Sequence, residues 1–347
     1  PRISMTACPL CRKNPAAQSI KICADCLRRL PKEQASSVHP YSVRKKWKLP
    51  ESPPRNPGGK KCRLCSNECC LGQEEIGYCG LRKNYHEKLS YFFSEGDALA
   101  YMYLDPLPTN CCAAWFCRGS TEKGYNLAFF FYGCNLDCLF CQNSSHKRLE
   151  EASFLSERDV LRAALSADVR CVCFFGGSPE PQLPFAIRVS EKIIEQSKNT
   201  KRICWEWNGC GHPALVKKAA ELSQRSGGTV KFDLKAYHPN IALALCGADL
   251  SRSYKNFSLV AESFPKEQLL TATTLLVPHY VEKQEVGQIA QYISHAGKHI
   301  PYSLLVFHPD FLMTDLPVTP RTQAEECYRE ARRHLSNVNI GNISLFK

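Results

Sequence analysis

An α/β fold, a partial (β/α)6 barrel of the TIM type with a small cysteine-rich metal-binding region ahead of it, is what this 347-residue sequence predicts. Three observations carry the expectation. From about residue 124 onward, short apolar runs alternate with stretches of helical periodicity, the pattern of a parallel sheet with right-handed crossovers. The first of those runs is followed at once by a cysteine loop, YGCNLDCLFCQN. Ahead of both lie cysteines in C-x2-C pairs, a spacing that reads as metal binding.

The chain divides into four parts. Residues 1–30 hold Cys8-Pro-Leu-Cys11 and Cys23-Ala-Asp-Cys26, two knuckles that match a closed, tetrahedral four-thiolate zinc site. So short a segment has little core, so the metal would supply most of its folding energy. An iron–sulfur cluster is the alternative there. Residues 31–60 are rich in Pro, Ser, Lys and Arg and end in Pro57-Gly58-Gly59, the composition of a basic linker. Residues 61–123 form a second cysteine-rich region expected to pack on the barrel. Its Cys62, Cys65, Cys69 and Cys79 offer four thiolates to zinc or to an auxiliary iron–sulfur cluster, and spacing does not separate the two. Cys111, Cys112 and Cys117 follow without an obvious fourth partner and read as small buried apolar side chains.

In the barrel, residues 124–347, the expected strands are Leu127–Tyr132, Val169–Phe175, Arg202–Trp207, Val230–Leu234, Leu269–Val277 and Tyr302–Phe307. Helical periodicity falls between them over Glu157–Ala167, Pro184–Gln196, Ala214–Arg225 and Glu285–His295, and again after Pro320. An open doubly wound sheet fits the same count. In either fold the site belongs at the carboxyl ends of the strands. Those ends carry the cysteine loop, Phe175-Gly176-Gly177-Ser178-Pro179-Glu180, Glu206-Trp207-Asn208-Gly209 and Asp233-Leu234-Lys235. Glycines, carboxylates and an amide at successive strand ends suit a polar, zwitterionic ligand. Cys171, Cys173, Cys204 and Cys246 fall in or beside core segments and read as structural.

Cys134, Cys138 and Cys141, spaced C-x3-C-x2-C, can bind three irons of a cubane 4Fe-4S cluster and leave the fourth iron open to a small molecule. Zinc also accepts clustered thiolates. Twenty-one cysteines without a secretory-type leader point to metal binding in a reducing compartment, with sensitivity to oxygen. Cytoplasmic location is the expectation. No apolar stretch approaches the roughly 18 residues that cross a bilayer. The net charge of +12, concentrated early in the chain, fits a solvated surface or attraction to nucleic acid or an acidic partner.

Taken together, CRLC…GYCGLR, YGCNLDCLFCQN, FFGGSPEPQ, WEWNG, FDLKAY, TTLLVPHYV, VFHPD and the closing IGN resemble the radical S-adenosylmethionine superfamily. The likeness is to its pyruvate formate-lyase activating enzyme-like branch, and within that to AmmeMemoRadiSam proteins. It runs from about Cys62 to the end and leaves the Cys8–Cys26 module outside. The resemblance implies that S-adenosylmethionine chelates the open iron and that Phe140 packs near its adenine. It implies that Gly176 and Gly177 bind the amino group through the backbone. Glu206 and Asn208 would face the ribose or carboxylate, and Asp233 and Lys235 the sulfonium or substrate. Where relatives carry an acidic residue after the two glycines this chain has Ser178, with Glu180 the nearest carboxylate.

By the same resemblance a reduced cluster cleaves S-adenosylmethionine to a 5′-deoxyadenosyl radical that takes hydrogen from a substrate, with the protein supplying position and electrostatics. A low-potential donor, ferredoxin or flavodoxin, is implied. The resemblance implies a protein or peptide substrate, as for a glycyl-radical activase. The rival is RNA, suggested by the knuckle module and basic linker. A non-enzymatic metal-dependent binding protein is the third reading.

Overall fold

The computed structural model describes residues 5–109, 111–265 and 269–346. Its main sheet contains β1 (Asp97–Pro106), β2 (Tyr125–Phe131), β3 (Phe154–Ser156), β4 (Val169–Gly176), β5 (Arg202–Trp207), β6 (Val230–Asp233), β7 (Leu270–Leu276), β8 (Tyr302–Val306) and β9 (Val338–Gly341). In space the order is β9-β8-β7-β6-β5-β4-β2-β1-β3. β2 and β4 through β9 are parallel, and β1 runs antiparallel between β2 and β3. The order is linear, so the sheet is a partial barrel that does not close. The six expected strands are all present. Three were not legible: β3 is only three residues, β9 is four residues of Val-Asn-Ile-Gly, and β1 is built from Ala, Leu and Met as much as from strand formers.

The helices are α1 (Ala24–Arg29), α2 (Lys32–Ser37), α3 (Glu157–Ala164), α4 (Leu183–Gln196), α5 (Pro213–Ser226), α6 (Pro239–Cys246), α7 (Ser251–Ser263), α8 (Lys283–Ala296) and α9 (Arg321–Arg332). Local chemistry sets several ends. α5 and α6 each begin with His-Pro: the proline occupies the first turn, and the imidazole of His212 or His238 accepts the N–H of Ala214 or Asn240 at 3.3 and 3.2 Å. Both stop at glycines in the left-handed region, Gly227 and Gly247. α6 and α7 lay outside the expected helices. In α6 nearly every side chain is buried, so no polar face reveals its period.

The period-2 alternation of the strands separates two chemistries. Toward the helices point Leu127, Phe129, Phe131, Val172, Phe174, Ile203, Trp205, Val230 and Phe232, all essentially buried. Trp205 stacks on Phe174 with centroids 4.8 Å apart and donates its indole N–H to the Ala219 carbonyl of α5 at 2.9 Å. Burying one such side chain contributes about 2–3 kcal/mol. Toward the concave side point Asn126, Cys171, Cys173, Cys204, Glu206, Lys231 and Asp233. These polar and sulfur-bearing groups line cavities instead of an apolar barrel core.

The stretch read as a linker over residues 31–60 is folded against the barrel. It carries α2, which packs on α6, and a 3-10 turn at Tyr41–Trp47 that buries Arg44. His39 Nε2 and Arg44 Nη1 each lie 3.1 Å from the Asp137 carboxylate, and Lys147 pairs with the same group. Arg44 also donates to the Pro50 and Tyr78 carbonyls. Asp137 is the residue between Cys134 and Cys138, so the early basic segment clamps the cysteine loop from behind. Composition suggested a tether because these charges are indistinguishable in sequence from solvated ones. The Cys8–Cys26 module docks beside them. The Ala17 N–H donates to Tyr280 Oη at 2.9 Å, Arg28 pairs with Glu285 at 3.2 Å, and Asn240 donates to the Leu27 and Leu30 carbonyls. Those partners follow β6 and β7, so the module sits on the carboxyl rim of the sheet.

Burial opposes ionisation of Asp137, but the His39 hydrogen bond and the Lys147 and Arg44 charges outweigh it and hold the carboxyl well below its usual range. Its contribution to stability is therefore present above the ordinary carboxylate range and is lost only in strong acid. Asp137→Asn strands the buried Arg44 and Lys147 cations without a counter-charge. We expect a loss of about 3–5 kcal/mol, read as lowered thermal and denaturant midpoints under anaerobic conditions, with iron retained less well than in wild type. An unchanged midpoint would remove the clamp from the account of loop stability.

Candidate active site

A cavity at the carboxyl ends of the strands is lined by Cys134, Cys138, Phe140, Cys141, Gly176, Gly177, Ser178, Glu206, Asn208, Asp233 and Lys235. Four successive strand ends, β2 and β4 to β6, supply them. The residues singled out at these strand ends thus converge on one cavity, Glu180 excepted. Glu180 is fully buried behind the wall, where it accepts the Ser178 hydroxyl and the Gly209 N–H, the latter at 2.7 Å. It holds the loop rather than facing a ligand. Ser178 in turn accepts from the Asn208 amide at 2.8 Å, and that amide also donates to Asn135 Oδ1 at 2.7 Å. Asn208 lines the cavity, but its amide is committed to joining the cysteine loop to the double-glycine loop. Sequence reasoning missed Gln142, Asn143, His146 and Thr273, which line the same cavity. The first three lie just past Cys141 in sequence, the one signal that could have found them.

The cysteine loop takes its shape from hydrogen bonds to the end of α6. Asp137 and Leu139 N–H groups donate to the Cys246 and Leu245 carbonyls at 3.0 and 2.9 Å. Cys246 is buried beside Cys138. Lys235 pairs with Asp233 and stands 5.6 Å over the Phe140 ring, so charge and aromatic face meet at one wall. The double glycine is dictated by space. Gly176 has φ +112°, and a Cβ there would come 2.6 Å from the Phe131 nitrogen. A Cβ on Gly177 would overlap the Gly133 carbonyl oxygen and lie 2.7 Å from His146. The Gly177 and Ser178 N–H groups already donate to Phe131 and Gly133 carbonyls. What the turn offers a ligand is carbonyl oxygens, which suit an ammonium group. His146 Nδ1 is buried without a hydrogen-bond partner among the described residues. Burial, then Lys147 and Arg44, hold that ring neutral. Three thiols on one loop, a backbone cradle and a Phe140 wall therefore fit a cluster with a bound zwitterionic nucleoside.

Among the described residues, two groups of three or more potential ligands have donor atoms all within 4.8 Å of one another: Cys8, Cys11, Cys23 and Cys26, and Cys111, Cys112 and Glu206. In the first, Cys11 and Cys23 Sγ are 3.7 Å apart. A tetrahedron with metal–sulfur bonds of about 2.3 Å has edges of about 3.8 Å, so this set is dimensioned for a single ion. Cys62, Cys65, Cys69 and Cys79 lie near one another beside the cysteine loop, where Asn67 donates to the Asn135 carbonyl at 2.8 Å. Cys111, Cys117, Cys171, Cys173 and Cys204 line a second cavity on the concave face, and Cys112 adjoins it; Cys171, Cys173 and Cys204 are buried together there.

Residues 129–293 match the family model of the Radical SAM superfamily. Among curated proteins, an uncharacterized protein, MJ0808 of Methanocaldococcus jannaschii, is 22% identical over 289 residues, covering 82% of this chain and 81% of that one. Among solved structures, a domain of pyruvate-formate lyase-activating enzyme from Bacteroides vulgatus aligns with TM-score 0.42 and 16% identity, over 49% of this chain and 98% of that one. Streptococcus suis SuiB bound to precursor peptide SuiA aligns with TM-score 0.47 and 17% identity, over 62% of this chain and 48% of that one.

Two outcomes follow from the geometry. Gly177→Ala forces the double-glycine loop away from Gly133, at a cost of about 1–3 kcal/mol. Affinity for S-adenosylmethionine, measured by equilibrium binding, should fall roughly tenfold or more. Second, burial raises Glu180 to about 7. A raised carboxylate pKa favours the folded state below the usual carboxylate range and loses that advantage as pH rises through about 7. The wild-type denaturation midpoint should therefore drop between pH 5 and 8 by more than that of Glu180→Gln. Parallel pH profiles would exclude Glu180 as the source.

Proposed function

We propose that this chain, whose residues 129–293 match the Radical SAM superfamily model, is a radical SAM enzyme that abstracts hydrogen from a side chain of a protein or peptide substrate. Bound in the strand-end cavity, a 4Fe-4S cluster and S-adenosylmethionine would supply the radical chemistry for that hydrogen abstraction. Cys134, Cys138 and Cys141 would hold the cluster, and the Gly176-Gly177 carbonyls would receive the amino group. The Asp233–Lys235 pair would meet the polar end of the nucleoside, and Phe140 its flat face. Ser178, Glu180 and Asn208 keep the two loops in register, so that ligand atoms meet fixed dipoles rather than water. Ferredoxin or flavodoxin would deliver the electron.

The observation that carries the substrate class is the second cavity, about 260 Å³. It shares Asn143, Phe175 and Glu206 with the first. A space of that size takes one amino-acid side chain or a small molecule. In residues 31–60, Lys32, Lys45, Lys48 and Lys60 form exposed pairs with Asp249, Glu51, Glu150 and Glu87, and Arg44 is buried against Asp137. The Cys8–Cys26 set has the dimensions of a zinc site, and the module's place on the rim suits a substrate-facing cover.

Anaerobic protein given dithionite and S-adenosylmethionine should release 5′-deoxyadenosine, and a Cys134→Ala, Cys138→Ala, Cys141→Ala variant should release none. Bulk tRNA should bind weakly, with a shallow dependence on salt; a steep slope would favour nucleic acid as substrate.

A further inference from the structure

Outside the S-adenosylmethionine cavity, the concave face carries an unassigned constellation. Sγ of Cys111 and Cys112 and a carboxylate oxygen of Glu206 lie within 4.8 Å of one another. Two of these residues, Cys111 and Glu206, line the 260 Å³ chamber, and Glu206 also borders the upper cavity. We propose that Cys111, Cys112 and Glu206 bind one thiophilic divalent ion, such as zinc, with its remaining coordination position open to the chamber.

The donor set is the first argument. Two thiolates and a carboxylate are ligands zinc accepts, and three protein ligands with a vacant fourth position is the form of a site that engages a substrate. A four-thiolate set such as Cys8–Cys26 closes the ion off instead.

Charge is the second. Lys231 is 1% exposed, with Nζ 3.2 Å from Cys111 Sγ, 3.1 Å from Cys173 Sγ and 3.4 Å from a Glu206 oxygen. Two thiolates and a carboxylate carry three negative charges, which a divalent ion and one ammonium neutralise together. Lys231 then donates to the Cys111 sulfur from outside the coordination sphere, as does the Ala113 N–H at 3.4 Å. Such outer donors orient metal-bound thiolates.

Rigidity is the third. The Cys112 carbonyl accepts from Trp115 Nε1 at 3.1 Å and from the Ser303 hydroxyl at 2.8 Å, which ties the double-cysteine turn to β8 across the sheet. A substrate offering a thiol, imidazole or carboxylate would be held at the junction of the two cavities.

The test needs no turnover, so it stands apart from S-adenosylmethionine cleavage. The full-length, cluster-loaded chain is dialysed anaerobically against buffered zinc, and zinc, iron and sulfide per chain are measured. Cys111→Ser, Cys112→Ser should hold one zinc fewer than wild type with iron and sulfide unchanged. Equal zinc in both, or a joint loss of iron and sulfide that marks a cluster there, overturns the proposal. Should the double variant fail to fold, Glu206→Gln keeps both thiols and should bind the chamber zinc at least tenfold more weakly; undiminished affinity overturns it equally.

Discussion

The Asp137 carboxylate fixes the geometry on which the cofactor site depends. It lies between two cysteines of one loop, buried, and is held by His39 and Arg44 from the amino-terminal segment and by Lys147 from the turn after the loop. Three donors on one buried anion satisfy it far better than a single partner would, which is the condition under which buried charge is tolerated. The result is a cysteine loop braced by chain more than ninety residues earlier in sequence. The segment that composition marks as a tether is thereby part of the active-site framework.

A second constraint is the sheet's two-faced alternation. Large apolar side chains, many of them aromatic, at every other position of β2, β4, β5 and β6 pack against helices, so the sheet gains its stability from one side. That leaves the concave side free to carry cysteines, a lysine and carboxylates that a filled barrel would exclude. The cavities exist because apolar burial is concentrated on the opposite face. Buried thiols and the Lys231 ammonium are tolerated there because each polar group has a partner.

Loop-to-loop hydrogen bonds link these constraints to chemistry. Glu180, Ser178, Asn208 and Asn135 form a chain from behind the double-glycine turn to the cysteine loop. None of the four needs to touch a ligand to matter: together they set the distance between the thiols and the carbonyl cradle. Sequence reasoning set Ser178, Glu180 and Asn208 beside the cofactor; in the structure their polar atoms are engaged with one another and with the neighbouring loops.

The strand–helix alternation, the cysteine loop and the strand-end motifs were all readable from the chain, because each is a local pattern fixed by spacing and periodicity. β1 and β9 were not, since their residues have little intrinsic strand preference and pair only because neighbouring strands present open edges. Nor were α6's full burial or the fate of residues 31–60. A charge or a cysteine reads the same in sequence whether it is solvated or enclosed, and only the packing of distant segments decides which. So Arg44 proved to be a buried clamp, and Cys111, Cys171, Cys173 and Cys204 proved to line a chamber: sequence determined what chemistry the chain owns, and tertiary structure decided which groups share a dielectric and a distance.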